Sequence, residues 1–328
     1  MKIGITGEKG FIATNLAKEI TNQGHTFISL DNSSFANDNM NFTETGEVCV
    51  YSNDAAAWEE LFESLSLDVI VHNAAVVGTD VVALNPKHAI NTNVLGTHNI
   101  VEAANKRDML NVYIGTTVIY DTYKYQETDI VEDSSIYPRT NYAVQKLAGE
   151  YFVKNNSKNY LIVRPLFAYG GEGDMNSLIA KSLFGIKNNI ENIDMFLNPY
   201  KIKDYMHVED FCYNVMNLIN SPVRNEDFNI AAENPLSTLE IITLIEEITG
   251  QSLENVIKWH PETDYLGNHR LSSKKLFEYL RSSNTRTLRS GIMSAWSSIK
   301  DADTSYNPLK YLNEAKDQNV DLKSFFPK

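Results

Sequence analysis

The chain has 328 residues, of which 43% are hydrophobic, and its 29 basic and 42 acidic side chains give a net charge of −13. This length supports a sizeable core, and the acidic balance argues against a nucleic-acid partner. Cys49 and Cys212 are too few for a disulfide framework, and no apolar run is long enough to cross a membrane, so we expect a cytoplasmic protein.

A glycine turn joins a strand to a helix at the start of the chain. Residues 2–6 predict a short strand, and the apolar spacing of the residues after the turn predicts a helix. Gly7 and Gly10 allow the backbone to turn tightly and to approach a pyrophosphate, which the N-terminal end of that helix would attract. Ala13 occupies the third glycine position of this motif and is its smallest replacement. The turn therefore predicts a dinucleotide site.

Asp31 indicates which dinucleotide is bound. It follows the second predicted strand, residues 26–30, at the distance from the glycine turn where a carboxylate accepts hydrogen bonds from the adenosine ribose. Such a carboxylate would repel a 2′-phosphate, and no lysine or arginine lies between Asp31 and Asn53. We therefore expect NAD rather than NADP. The alternative is that Asp31 caps a turn with Asn32 and Ser33.

Predicted strands and helices alternate through the first half of the chain. Apolar runs at residues 69–72, 112–114 and 161–163 predict buried strands, and residues 88–107 predict a helix. That helix is expected to bury Ile90, Val94, Val101 and Ala104. This alternation predicts an α/β fold, a Rossmann-type doubly wound parallel sheet whose strands all end along one edge.

The alternation weakens in the second half, which suggests a division of the chain. We expect residues 1–165 to form an NAD-binding Rossmann domain, to which residues 203–230 return. Residues 166–202 and 231–300 are expected to form a smaller C-terminal substrate-binding region. Residues 301–328 are predicted to be a polar tail.

Tyr142 and Lys146 begin a predicted helix 26 residues after Thr116. Their i, i+4 spacing puts both side chains on one helix face. The ammonium and a positive nicotinamide ring would lower the pKa of the Tyr142 phenol from its ordinary value of ~10 and make it a base. Thr116 would hold a substrate hydroxyl against that phenol. Tyr120 and Lys124 share the spacing but lie in a polar stretch, and we interpret that pair as coincidental.

Seven stretches occur in the order typical of one family: residues 6–12, 72–75, 93–97, 116–120, 142–146, 164–170 and 203–210. Together they resemble the NAD-dependent epimerase/dehydratase family, the extended short-chain dehydrogenases that act on nucleotide sugars. The resemblance covers residue 2 to about residue 298. It implies a Rossmann domain with bound NAD and a C-terminal region that grips a nucleotide-diphosphate sugar. It also implies a homodimer, paired through helices near residues 92–107 and 142–155.

The resemblance implies roles for individual residues. Thr116 would orient the substrate, Tyr142 would act as the base, and Lys146 would contact the nicotinamide ribose. Besides Tyr142 and Lys146, the NAD site would be lined by Gly7, Gly10, Phe11, Ile12, Asp31, Ser52, Asn73, Ala74, Ala75 and Asn93. The substrate site would include Thr117, Phe167, Asn176, Lys203 and Arg270. No metal site is expected, because the spacing of the histidines does not match a ligand set.

Departures from the family pattern bear on the reaction. The 4,6-dehydratases carry an Asp-Glu pair where this chain has Thr117 and Val118, which disfavours elimination of water. Phe167 replaces an asparagine found in many epimerases. Lys203 replaces an arginine, which keeps the positive charge for a diphosphate but loses the bidentate fork. Arg270 stands where a second phosphate-binding arginine often lies, and a solvated surface arginine is the alternative.

The sequence therefore predicts a nucleotide-sugar epimerase. We expect it to invert C4 of a UDP-sugar through a transient 4-keto intermediate, with NAD kept bound. A 4-ketosugar-nucleotide reductase that consumes NAD(P)H would use the same residues and stays open as the alternative. A 4,6-dehydratase and a non-catalytic NAD-binding protein are less favoured.

Overall fold

The computed structural model describes residues 1–30, 55–171, 173–174, 177–281 and 285–301. Strands and helices alternate through the first half. In chain order its elements are β1 (Lys2–Thr6), α1 (Phe11–Asn22), β2 (Thr26–Leu30), α2 (Ala55–Leu65), β3 (Val69–His72), α3 (Thr79–Leu84), α4 (Pro86–Ile90), a π-helical segment (Asn91–Gly96), α5 (Thr97–Asn105), β4 (Leu110–Ile114), a 3-10 turn (Thr117–Ile119), α6 (Asn141–Asn156) and β5 (Tyr160–Pro165).

The second half has shorter strands between its helices. Its elements are α7 (Leu178–Asn188), β6 (Ile193–Met195), β7 (Ile202–Lys203), α8 (Val208–Asn220), β8 (Glu226–Ile230), β9 (Leu236–Ser237), α9 (Thr238–Thr249), β10 (Ile257–Trp259), a 3-10 turn (Pro261–Thr263), α10 (Lys274–Leu280) and α11 (Leu288–Asp301).

Six strands of the described chain form one sheet in the order β2-β1-β3-β4-β5-β8, and every neighbouring pair is parallel. The chain runs from β1 outward to β2 and then returns to place β3 on the other side of β1. The strand order therefore reverses between β1 and β3, which is where open α/β sheets bind their ligands. The predicted α/β Rossmann-type sheet is confirmed.

Successive side chains of the buried strands pack against helices on opposite faces of the sheet. In β3, Val69 and Val71 join the cluster that contains α1 and α8, whereas Ile70 joins the cluster that contains α2 and α5. This period of two is the consequence of strand geometry. Ala13 is fully buried in the first cluster, as its position in the glycine motif predicts. The helices thus fix the carboxyl edge of the sheet from both sides.

A further apolar cluster, separate from the two that pack on the sheet, lies in the second half of the chain. It combines buried residues of α7, α9 and α11 with those of β6 and β10. The short strand β7 pairs with β9 in a separate two-stranded sheet, while α8 packs on α1 and β8 pairs with β5. The division into an NAD-binding and a substrate-binding region stays a prediction.

The helix predicted over residues 88–107 has a different register. A π-helical segment separates α4 from α5, and its wider turn rotates the faces of the helices on either side relative to each other. Val101 and Ala104 are buried as predicted, but Ile90 is 49% exposed and Val94 is half-buried. The prediction of a single inward stripe was therefore wrong for Ile90, because it assumed 3.6 residues per turn throughout.

Candidate active site

The glycine turn after β1 leaves no room for side chains. Gly7 has a φ of +68°, and a Cβ there would lie 2.8 Å from the Cα of Ala74. A Cβ on Gly10 would lie 3.0 Å from the Gly7 carbonyl oxygen. Gly10 is also the N-cap residue of α1, and as a glycine it has no side chain to cap the helix. The first backbone N–H groups of α1 therefore receive no hydrogen-bond acceptor from the N-cap side chain.

Thr6 and His72 hold the loop after β3 against this turn. The Thr6 hydroxyl oxygen accepts hydrogen bonds from the backbone N–H groups of Asn73 and Ala74, each at 3.1 Å. His72 lies between Thr6 at 2.8 Å and Thr97 at 2.9 Å. Because the Thr97 hydroxyl donates to the Asn93 carbonyl, it accepts from His72 Nε2. Burial, and then the charge of Lys146, lower the pKa of His72 to about 3, so His72 is a neutral structural residue.

Asn93 braces the same loop from the π-helical segment. Its side chain accepts from the Val76 backbone N–H at 2.7 Å and donates to the Val76 carbonyl at 3.0 Å. The amide also donates to Gln145 at 2.9 Å. The predicted contact between Asn93 and NAD stays a prediction, because in this structure the side chain is engaged with the protein.

The residues around the turn fit a dinucleotide. The outward N–H groups of α1 suit a pyrophosphate, and the missing side chains of Gly7 and Gly10 let it approach. Phe11, Ile12 and Ala75 are half-buried, which leaves apolar surface for a ring. The Asn73 side chain donates a hydrogen bond to the Gly7 carbonyl at 3.3 Å and so holds the glycine turn in place. Two further residues predicted for this site, Asp31 and Ser52, lie outside the described residues.

Thr116, Tyr142 and Lys146 come together at the carboxyl edge of the sheet. Thr116 follows β4, and its hydroxyl oxygen accepts from the Val118 N–H at 3.4 Å. Tyr142 lies in the first turn of α6, which Thr140 caps by accepting from the Ala143 N–H at 3.1 Å. The Tyr142 phenol is hydrogen-bonded to the Thr116 hydroxyl. A sugar hydroxyl placed between them would meet both groups.

The electrostatics of Tyr142 differ from the prediction. Burial raises the pKa of the phenol, nearby Tyr265 raises it further, and the hydrogen bond from Thr116 offsets only part of this. The expected depression was therefore wrong for the protein alone, because the sequence identifies neighbours but not the loss of solvent around them.

Lys146 is buried beside an aromatic ring. Its Nζ lies 4.2 Å from the centroid of the Tyr113 ring. The Tyr113 hydroxyl donates to the Lys146 carbonyl at 3.3 Å, which fixes the backbone of α6 at this point. Burial lowers the pKa of Lys146 to about 7, and the charge of Glu150 opposes that change. The ammonium is thus close to its titration point at neutral pH.

The second tyrosine–lysine pair is not an active site. Tyr120 is fully buried, accepts from Arg164 Nη1 at 2.7 Å and donates to Asn229 at 2.9 Å. Lys124 instead donates to Ser135 at the surface. These contacts confirm the interpretation that the spacing of Tyr120 and Lys124 is coincidental.

The predicted substrate residues are held in different ways. The Thr117 hydroxyl donates to the Pro165 carbonyl at 3.4 Å. Phe167 has a φ of +25° and packs on Tyr205 and His269. Asn176 lies outside the described residues. The contacts of all of these with a substrate stay predictions.

The two predicted phosphate-binding cations are both ion-paired. The Lys203 side chain is fully buried, and its Nζ lies 3.3 Å from the Asp264 carboxylate. Arg270 is partly exposed, and its Nε lies 3.1 Å from Asp129. A diphosphate contact by Lys203 would require its ion pair to open, whereas Arg270 could exchange a surface partner for a ligand.

Two residues near the catalytic group were missed by the sequence analysis. Tyr265 acts on the Tyr142 phenol, and its hydroxyl accepts from Thr79 at 3.2 Å. That contact joins residues 186 positions apart, so no local spacing could have found it. Glu150, one helical turn after Lys146, could have been found by extending the i, i+4 pattern. No group of His, Cys, Asp and Glu within the described ranges could hold a metal ion.

None of the helices in the described part of the chain is long and apolar enough to span a membrane.

Comparisons with known proteins find relatives in sequence and in fold. A dTDP-glucose 4,6-dehydratase of Haemophilus influenzae is 24% identical over 80% of this chain and 84% of its own length. A GDP-6-deoxy-D-talose 4-dehydrogenase of Aggregatibacter actinomycetemcomitans is 24% identical over 77% of this chain and 82% of its own length. The crystal structure of Thermus thermophilus UDP-glucose 4-epimerase with NAD has a TM-score of 0.79 at 19% identity and shares the fold over 92% of this chain and 100% of that one.

A family model also matches the chain. The model of the NAD dependent epimerase/dehydratase family matches residues 3–231, which include the glycine turn and the Thr116, Tyr142 and Lys146 site. This match spans well over half of the chain. NAD is the cofactor of that family, and the glycine turn fits it. The chain belongs to the NAD-dependent epimerase/dehydratase family.

Proposed function

We propose that this protein is a nucleotide-sugar epimerase that inverts C4 of a UDP-sugar through a transient 4-keto intermediate. The observation that carries the proposal is the hydrogen bond between Thr116 and Tyr142, with Lys146 one helical turn further along α6. A phenol and a hydroxyl that face one another can receive a secondary alcohol and move its proton. The solved epimerase with a TM-score of 0.79 supports the same reading of the fold.

The glycine turn and the loop after β3 would hold NAD. The pyrophosphate would lie on the N-terminal end of α1, beside Gly7 and Gly10. Lys146 would donate to the nicotinamide ribose, since its Nζ has no hydrogen-bond acceptor among the described residues apart from the adjacent ring face. NAD, when bound, supplies an acceptor and donor of hydride at C4 and a positive charge beside the phenol.

The side chains of this protein would transfer the proton of the C4 hydroxyl. Thr116 positions the C4 hydroxyl, Tyr142 takes its proton as the alcohol becomes a ketone, and Tyr142 returns the proton when the alcohol forms again. In the protein without cofactor, burial and then Tyr265 raise the pKa of the phenol, so it stays protonated at neutral pH. The charge on Lys146 and the cofactor must therefore stabilise the phenolate during turnover. Lys146 is buried and Tyr142 is half-buried, so those charges are more effective than they would be in water.

The residues after Thr116 argue against a 4,6-dehydratase. Elimination of water needs an acid to protonate the leaving hydroxyl and a base to remove the C5 proton. Thr117 and Val118 occupy the positions of that acid–base pair, and neither side chain has a titratable group. Thr117 is buried, and its hydroxyl donates a hydrogen bond to the Pro165 carbonyl. The chain thus lacks the extra groups that this reaction requires at these positions.

The proposal is tested by the small molecules that the protein retains. Protein purified without added cofactor is denatured, and the released molecules are identified by mass spectrometry. An epimerase recycles its cofactor, so we expect near-stoichiometric NAD, with or without a nucleotide sugar. Protein that releases no nucleotide and instead oxidises NADH or NADPH in the presence of 4-ketosugar nucleotides would establish the reductase and refute the epimerase.

We also infer a homodimer formed through α5, α6 and the π-helical segment. Apolar side chains are exposed on these elements: Leu95 is 43% exposed, Val144 50% and Tyr151 55%. Val144 and Tyr151 are seven residues apart and so share one stripe of α6. We expect a particle of about twice the chain mass of 37.0 kDa by light scattering, and Val144→Glu should convert it to a monomer. A monomeric wild-type protein would contradict this inference.

A further inference from the structure

The active-site lysine has no direct counter-ion. Lys146 is 3% exposed, and its charged nitrogen faces the Tyr113 ring rather than a carboxylate. No ion pair joins it to any residue in the described ranges, although other buried cations of the chain, such as Arg164, have one. A buried ammonium in this situation loses its proton easily. Something must therefore keep enough negative potential near Lys146 for it to remain charged.

Glu150 lies one helical turn after Lys146 on α6 and is 2% exposed. Both of its carboxylate oxygens accept hydrogen bonds from Arg164, at 2.9 Å from Nε and 2.8 Å from Nη2. This fork geometry fixes the plane of the carboxylate as well as its position. Glu150 is the one anion among the described groups that acts on Lys146.

Glu150 lies in a closely packed part of the protein. A Cβ added to Gly115, directly before Thr116, would lie 2.6 Å from Glu150 Oε1. A Cβ added to Gly149 would lie 2.3 Å from the Tyr113 hydroxyl, which itself bonds to the Lys146 carbonyl. The absence of these two side chains lets α6 approach β4 closely. The Glu150 carboxylate therefore lies between α6, the end of β4 and Arg164 of β5.

Arg164 does not cancel the charge of Glu150 alone. Its Nη2 also lies 2.6 Å from the Asp227 carboxylate on β8. Two acids thus share one guanidinium, so the positive charge of Arg164 is divided between Glu150 and Asp227. Lys154 and Lys275 also pair with Asp227, so the further cations of this cluster contact Asp227 and not Glu150.

We propose that the Glu150–Arg164 pair is a positioning pair for the reaction, which holds a carboxylate in a fixed place one turn from Lys146 and keeps that ammonium charged. The other titratable groups that surround Lys146 do not supply this potential: His72 on β3 is neutral, Tyr113 on β4 and Tyr142 on α6 are protonated phenols, and Arg164 on β5 is a cation. Its catalytic consequence rests on the proposed function, but the charge state of Lys146 does not.

The direct test is the titration of Lys146 in the folded, cofactor-free protein. The side chains are followed by NMR with ¹³C-labelled lysine, and Lys146→Met identifies the signal. We expect Glu150→Gln to lower the pKa of Lys146 by about one unit or more, because the one anion of the described residues that acts on Lys146 is lost. Asp227→Asn is the matched control, since it also breaks an ion pair of Arg164 but leaves Glu150 in place, and it should move the pKa of Lys146 much less.

Two outcomes would overturn the proposal: an unchanged titration of Lys146 in Glu150→Gln, or an equal shift in Asp227→Asn. Should Glu150→Gln fail to fold, Glu150→Asp is the second variant: it keeps the charge but draws the carboxylate back by one methylene, so we expect a smaller fall in the pKa of Lys146. In the active enzyme the alkaline limb of kcat against pH should move to lower pH in step with the titration. A shifted titration without turnover in any variant would uphold the positioning pair and refute the proposed epimerase.

Discussion

Two buried lysines, Lys203 on β7 and Lys146 on α6, are held in opposite ways. Lys203 is fully buried against Asp264, and both charges are satisfied within the protein. Lys146 is almost as deeply buried but has no direct counter-ion, and burial lowers its pKa to about 7. The contrast indicates that the first lysine contributes to the architecture of the site, whereas the second is kept available for a ligand.

The same contrast separates what is common to the family from what is particular to this chain. The glycine turn, Thr116, Tyr142 and Lys146 keep the family pattern, and the structure leaves their polar atoms facing one edge of the sheet. Lys203 departs from the pattern, and its ammonium is committed to Asp264. The reaction is thus expected to be the general one, while recognition of the diphosphate should rely on other groups, including Arg270.

The largest effect is expected on the catalytic side. Tyr142→Phe removes the hydroxyl that moves the substrate proton, so turnover should fall by about 10²–10⁴-fold. Bound NAD should persist, because the glycine turn is unchanged. The exposed Tyr137→Phe is the control and should retain full turnover. Steady-state rates of sugar interconversion and the mass of released NAD measure both expectations, and a retained rate in Tyr142→Phe would remove this residue from the mechanism.

The Lys203–Asp264 ion pair should affect stability instead. Lys203→Met leaves the buried Asp264 carboxylate without its partner, and we expect the free energy of unfolding to fall by about 3–5 kcal/mol. Adding Asp264→Leu removes the stranded charge and should recover a large part of that loss. Urea unfolding without ligands measures both. If Lys203→Met were as stable as the wild type and only the KM for the substrate rose, Lys203 would be a substrate contact.

Lys146→Met should raise the free energy of unfolding, whereas Lys203→Met lowers it. In the folded protein the pKa of Lys146 is about 7, below the ordinary value of 10.5. The unfolded chain therefore binds more protons between these pH values, and stability from this group is lowest below pH 7 and rises toward pH 10.5. The substitution should stabilise the protein by about 1–4 kcal/mol at pH 7 and abolish turnover. A gain that does not shrink with rising pH would contradict this account.

The smallest effect is expected at Arg270. Its surface pair with Asp129 contributes little to stability, so Arg270→Ala should leave the unfolding free energy within about 0.5 kcal/mol of the wild type. If Arg270 takes the diphosphate, the KM should rise about tenfold while kcat changes little. Lys274→Ala, a change at an exposed residue nearby in the chain, is the control. An unchanged KM in Arg270→Ala would favour the interpretation of a solvated surface arginine.

The sequence predicted the features that depend on local spacing. The glycine turn lies within a few residues, and Tyr142 and Lys146 are one helical turn apart, so periodicity alone places them. The Thr79–Tyr265 and Lys203–Asp264 contacts join residues 186 and 61 positions apart, and only the fold brings them together. The exposure of Ile90 depends on a π-helical segment, which a period of 3.6 does not anticipate. The pKa of Tyr142 depends on burial, which spacing does not report.

The central claim is that a hydride leaves and returns at the same carbon of a bound sugar. The most direct test supplies UDP-glucose with deuterium at C4 to protein purified without added cofactor and follows the product by NMR and mass spectrometry. The account predicts UDP-galactose that retains the deuterium at C4, with no net consumption of NAD or NADH. Absence of product until NADH or NADPH is added, or loss of the deuterium from C4, would contradict it.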